Sequence, residues 1–94
     1  MTHPNVKAFM DLSTAHISPS TREWLTRAAG PGNFSNWVAS TPYGWFTYCT
    51  EDDDDNDVPA DLRACMEYAK QHGAFYILFD CDAQEVDDLH TFAD

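Results

Sequence analysis

Residues 51–57 place six carboxylates in seven positions, Glu51, Asp52, Asp53, Asp54, Asp55 and Asp57, with Asn56 between them. No packed helix or strand takes that composition, because the charges repel one another and bring nothing apolar to bury. The run reads as an acidic surface loop, and it forces the chain to draw its elements from the segments on either side. With 94 residues in all, those segments have one core to share and read as a single domain, 1–94.

Before the run, residues 1–10 read as a loose N-terminal arm. Leu12, Ala15 and Ile17 place a short strand over 11–17. Ser18 is a capping residue and Pro19 fits the first helical position, where its missing N–H costs nothing. Trp24, Leu25 and Ala28 follow on one face, and Gly30-Pro31-Gly32 ends the helix. Strands over 36–40 and 44–50 flank a turn at Thr41-Pro42-Tyr43-Gly44. In the second of these, Trp45, Thr47 and Cys49 point one way and Phe46 and Tyr48 the other. Apolar side chains on both sides predict a central strand.

After the run, Leu62, Cys65, Met66 and Ala69 recur at helical spacing, which predicts a helix from Val58 or Pro59 to about His72, closed by Gly73. The unbroken apolar run over 74–79 predicts a buried central strand. The remainder, 80–94, is acidic again, with Val86, Leu89 and Phe92 as its apolar anchors. The order predicts an α+β fold, a three- or four-stranded sheet with two helices packed on one face, and leaves strand order open.

Charge is distributed as unevenly as hydrophobicity. Fourteen of sixteen carboxylates lie in 51–94 against two basic residues there, so the first half is near +1 and the second near −12, giving −11 overall. Solubility needs a net charge of only roughly 2 to 8 in a domain this small. An excess of this size points to a strongly positive partner surface, such as a basic nucleic-acid-binding protein. Direct nucleic-acid binding is excluded, because phosphate contacts need clustered Lys and Arg and the chain has five spread along it. No stretch is long and apolar enough for a membrane span, and the start lacks the pattern of a signal peptide, so a cytoplasmic location in a host cell is expected.

A second acidic cluster, Asp80, Asp82, Glu85, Asp87 and Asp88, follows the last predicted strand. If the strands on either side of the second helix run parallel, as a crossover requires, both clusters emerge at one end of the sheet and merge. Six charges over the roughly 23 Å of seven extended residues give one per roughly 4 Å. A single DNA strand carries one per roughly 3.4 Å of axis. Such a surface matches a phosphate-binding groove. Trp37 and Tyr43, near the turn, are the aromatic residues expected to be exposed and to serve as interface anchors.

Other chemistries fit less well. Asp53, Asp55 and Asp57 match the first three ligand positions of an EF-hand loop, but Val58 stands where that loop needs Gly and Ala64 where it needs Glu. Asp80 and Asp82, at a strand end, resemble the carboxylates of metal-dependent sheet enzymes, although a strand-end Asp is commonly a turn residue. Ser13, Thr14, His16, Ser18 and Ser20 cluster without an orienting acid or a Gly-rich elbow, so capping accounts for them. Cys49, Cys65 and Cys81, odd in number and widely spaced, read as reduced cysteines in or near the core. Catalysis, a metal site and a cofactor are all unexpected.

The segments Leu-Ser-Thr-Ala-His-Ile-Ser-Pro-Ser-Thr-Arg-Glu-Trp-Leu (12–25), Val-Pro-Ala-Asp-Leu-Arg-Ala-Cys-Met-Glu-Tyr-Ala (58–69) and Phe-Asp-Cys-Asp-Ala-Gln-Glu-Val-Asp-Asp-Leu (79–89) resemble an uncharacterised family of short acidic proteins, a domain of unknown function carried by phages, prophages and plasmids. The resemblance implies a mobile-element setting and no functional residues. By analogy, small acidic proteins in that setting include anti-CRISPR and anti-restriction inhibitors that imitate DNA. The expected function is a non-enzymatic inhibitor that occupies the nucleic-acid-binding surface of a host defence complex, such as a CRISPR effector. An antitoxin-like regulator of the element's own proteins is the alternative.

Overall fold

The computed structural model describes residues 5–29, 38–49 and 58–92. Their elements are β1 (Phe9–Ser13), a 3-10 turn (Thr14–His16), α1 (Pro19–Ala29), β2 (Val38–Thr41), β3 (Gly44–Tyr48), α2 (Ala60–Gln71) and β4 (Tyr76–Asp80). The strands form one mixed sheet in the order β1-β4-β3-β2. β1 pairs with β4 in parallel, whereas β4 with β3 and β3 with β2 are antiparallel. The fold is α+β with four strands and two helices. β3 is central, as its two-sided apolar pattern predicts, and so is β4.

Local chemistry accounts for the element ends. Ser18 Oγ accepts the Thr21 N–H at 3.2 Å, capping α1 just before Pro19. The Ser18 N–H and the Thr21 hydroxyl in turn donate to the two oxygens of Asp61, at 2.7 and 2.6 Å, so a carboxylate in the first turn of α2 holds the start of α1. At the other end of α2, Gly73 adopts φ +85°. Its N–H donates to the Lys70 carbonyl at 3.0 Å and that of Ala74 to the Ala69 carbonyl at 2.9 Å, the paired bonds of a Schellman stop.

Packing follows the strand alternation. Leu12, Thr47, Ile77 and Phe79 are fully buried on one set of alternate strand positions. Leu25 and Ala28 of α1 and Leu62, Cys65, Met66 and Ala69 of α2 join the same core cluster. The helical stripe read from the sequence is therefore the buried one.

Several expectations are corrected. β1 begins at Phe9, inside the segment read as an arm, because its backbone finds partners along β4 from Tyr76 onward. It ends at Ser13, where the side chain accepts the Ala15 N–H at 3.1 Å and turns the chain into the 3-10 turn instead of continuing to residue 17. In the apolar run over 74–79 only Ala74, Ile77 and Phe79 are buried; Tyr76 and Leu78 are half-buried and Phe75 is exposed. Cys49 and Cys65 are buried, but Cys81 is exposed beyond the end of β4.

The most consequential correction concerns β3 and β4, which are antiparallel. β3 ends at Tyr48 beside Tyr76, the start of β4, while Asp80 lies beside Gly44 at the opposite end of the sheet. The connection from 49 to 59 is eleven residues long, enough to span the roughly 17 Å height of a five-residue strand, so its length does not require a parallel crossover. The parallel crossover expected to merge the two acidic clusters is absent. Residues 51–57 and Trp37 lie outside the described residues.

Candidate functional site

One end of the sheet brings together Asp80, Asp82 and Tyr43 of the expected site residues. Asp80 closes β4, and its Oδ1 accepts the Asp82 N–H at 2.8 Å, turning the chain sharply. The Cys81 N–H donates to the Tyr43 carbonyl at 3.1 Å, which sets the β2–β3 turn beside the acidic segment. Tyr43 is 61 % exposed there, as expected from its place in the turn. Asp82, Glu85, Asp87 and Asp88 are exposed and Asp80 is half-buried. Asp80 and Asp82 thus stand beside the exposed ring of Tyr43, and the other three carboxylates follow in the same segment.

A buried histidine holds this segment in place. His16, in the 3-10 turn, is 2 % exposed. Its Nε2 accepts the Val86 N–H at 3.0 Å, so the proton sits on Nδ1, which donates to the His90 carbonyl at 3.0 Å. The Phe92 N–H adds a bond to the Ala15 carbonyl at 2.8 Å, and Val86 and Leu89 pack against the core. From α2, the Tyr68 hydroxyl donates to Asp88 at 3.1 Å. Desolvation first, then the bond to Asp88 and its charge, raise the Tyr68 phenol above its ordinary range. Sequence reasoning missed His16 because a lone histidine among hydroxyls carries no spacing signal; its partners lie about seventy residues away in the chain.

Asp80, Cys81 and Asp82 bring three donor atoms within 4.8 Å of one another, but the Asp80–Asp82 bond is ordinary turn chemistry. A cavity of about 460 Å³ opens between the start of α2 and the 89–92 segment, with Ser18, Asp61, Cys65 and His90 in its wall. Both Asp61 oxygens there are engaged by α1. Burial first, then the Asp61 and Cys49 charges, push the Cys65 thiol up to about 12, the reverse of an activated nucleophile. Both His16 ring nitrogens are taken by backbone groups.

No helix among the described residues is long and apolar enough to cross a membrane. Nothing among curated proteins and nothing among solved structures matches the chain. A family of unknown function does, the DUF5983 C-terminal domain, over residues 9–94, from the first residue of β1 through the pinned acidic segment. That match takes in every described element, and the chain belongs to this family.

Proposed function

We propose that this chain is a non-enzymatic binding module whose acidic margin, Asp80 to Asp88 with Tyr43, occupies the nucleic-acid-binding surface of a basic partner protein. The observation that carries the reading is the pinning of the acidic segment by His16. A charged tail serving solubility has no need of two hydrogen bonds to a buried histidine, whereas a recognition surface gains from being held in one conformation before it binds. The net charge of −11 supports the sign of the partner. In the mobile-element setting that the resemblance implies, the partner is a host defence complex and the effect is inhibition, with carboxylates standing in for phosphates as in anti-CRISPR and anti-restriction proteins.

The test is capture from host-cell lysate on the immobilised protein and on a variant carrying Asp82→Asn, Glu85→Gln, Asp87→Asn and Asp88→Asn. Proteins held by the wild type, lost by the variant and released as salt rises are the expected result, because exposed charge pairs are screened beyond about 8 Å at physiological ionic strength. The protein so identified is then titrated with labelled DNA or RNA and must release it. An unchanged captured set, or a ternary complex that retains nucleic acid in its groove, refutes the reading.

A further inference from the structure

The sheet has a second set of alternate positions, opposite Ile77 and Phe79. Phe9 and Asp11 of β1, Tyr76, Leu78 and Asp80 of β4, and Phe46 and Tyr48 of β3 occupy it. Phe46 stacks on Tyr76 with centroids 5.2 Å apart and planes at 17°. Phe9 meets Phe46 edge-on at 6.0 Å, and Tyr48 meets Tyr76 at 5.5 Å. Four rings on three neighbouring strands are therefore contiguous, and Phe9 and Tyr48 remain 53 % and 37 % exposed. Contiguous exposed apolar surface of this kind marks an interaction site.

Charge selects the occupant. Asp11 and Asp80 lie on this face, and no Lys, Arg or His stands at any of its strand positions. Nucleobases would stack on the rings but bring phosphates, which need basic contacts. A second copy would set carboxylate against carboxylate between two chains of −11 each. A guanidinium satisfies both features, since its plane stacks on aromatic faces and its fork pairs with a carboxylate.

We propose that this aromatic face docks an arginine-bearing segment of a protein partner, the rings taking the guanidinium planes and Asp11 their charge. The inference rests on the proposed function for the sign of the partner's charge, but it concerns the sheet face, which meets the acidic segment at Asp80.

The probes are capped octa-arginine and octa-lysine peptides, followed by NMR on the labelled protein. Octa-arginine is expected to shift resonances of Phe9, Asp11, Phe46, Tyr48 and Tyr76 and to bind about threefold or more tighter than octa-lysine. Replacing the exposed rings, Phe9→Ser with Tyr48→Ser, should abolish that preference while leaving octa-lysine binding unchanged. Asp11→Asn, at an exposed position on the sheet face opposite the core, should weaken octa-arginine binding and serves where the ring variant melts without cooperativity. Equal affinity for the two peptides, with shifts confined to 82–88, overturns the inference and leaves the proposed function standing. Full octa-arginine binding by the variant neutralised at Asp82, Glu85, Asp87 and Asp88 supports the inference and counts against the acidic margin. Concentration-dependent shifts on the aromatic face without peptide, lost in the ring variant, make a second copy the occupant and also overturn it.

Discussion

Single residues carry constraints that composition does not display. Gly44 looks like a turn residue, yet a Cβ there would collide with the Phe79 carbonyl oxygen of the neighbouring strand. Gly44→Ala must push β3 away from β4, and a loss of about 1–3 kcal/mol in denaturant unfolding is expected, as for an overpacked core position. The cysteines divide in the same residue-by-residue way. Burial raises Cys49 from 9.0 to about 11 and Cys65 to about 12. Above pH 9 the unfolded chain therefore sheds thiol protons that the folded chain keeps. Stability from these two groups is complete below pH 9 and is lost progressively as pH rises toward 12. Melting temperature should fall across that window, and less steeply in Cys65→Ala. At neutral pH, mass spectrometry after iodoacetamide treatment should find Cys81 alkylated and Cys49 and Cys65 untouched until denaturant is added.

At the scale of elements, α2 and β4 form the centre of the core. Leu62 and Ile77 are each fully buried, so Leu62→Ala or Ile77→Ala should cost about 2–5 kcal/mol, a large share of the roughly 5–15 kcal/mol available to a domain. Chemical denaturation checks both. The 3-10 turn matters for a different reason, because His16 fastens the acidic segment to it. His16→Ala leaves the Val86 N–H and the His90 carbonyl without their partner, and should cost about 1–3 kcal/mol. The distinguishing readout is local: amide exchange at Val86 should accelerate well beyond that at Ile77, since the segment is released while the sheet persists.

For the whole molecule, a net charge of −11 on a single small domain works against compaction. Salt screens that repulsion within a Debye length of about 8 Å at physiological ionic strength, so the melting temperature should rise from low to physiological salt, the opposite of its effect on partner binding. A flat or falling profile would show that the carboxylates are internally compensated. What the chain determined by itself is the set of elements whose causes are local. The cap at Ser18, the helical stripe from Leu62 to Ala69, the stop at Gly73 and the two-residue turn before Gly44 were all legible, because each depends on residues within one or two turns of one another. The second acidic cluster and the exposure of Tyr43 were legible too, as charge and turn chemistry keep such groups in water. Tertiary structure alone decided the direction of β4 against β3, because the connection before α2 is long enough to serve either geometry and only the pairing of distant backbones chooses. It likewise decided that Tyr76 and Leu78 face outward in a run that reads as uniformly buried, and that a histidine at residue 16 meets backbone groups at 86 and 90. Those outcomes rest on contacts between distant parts of the chain, and local pattern carries no record of them.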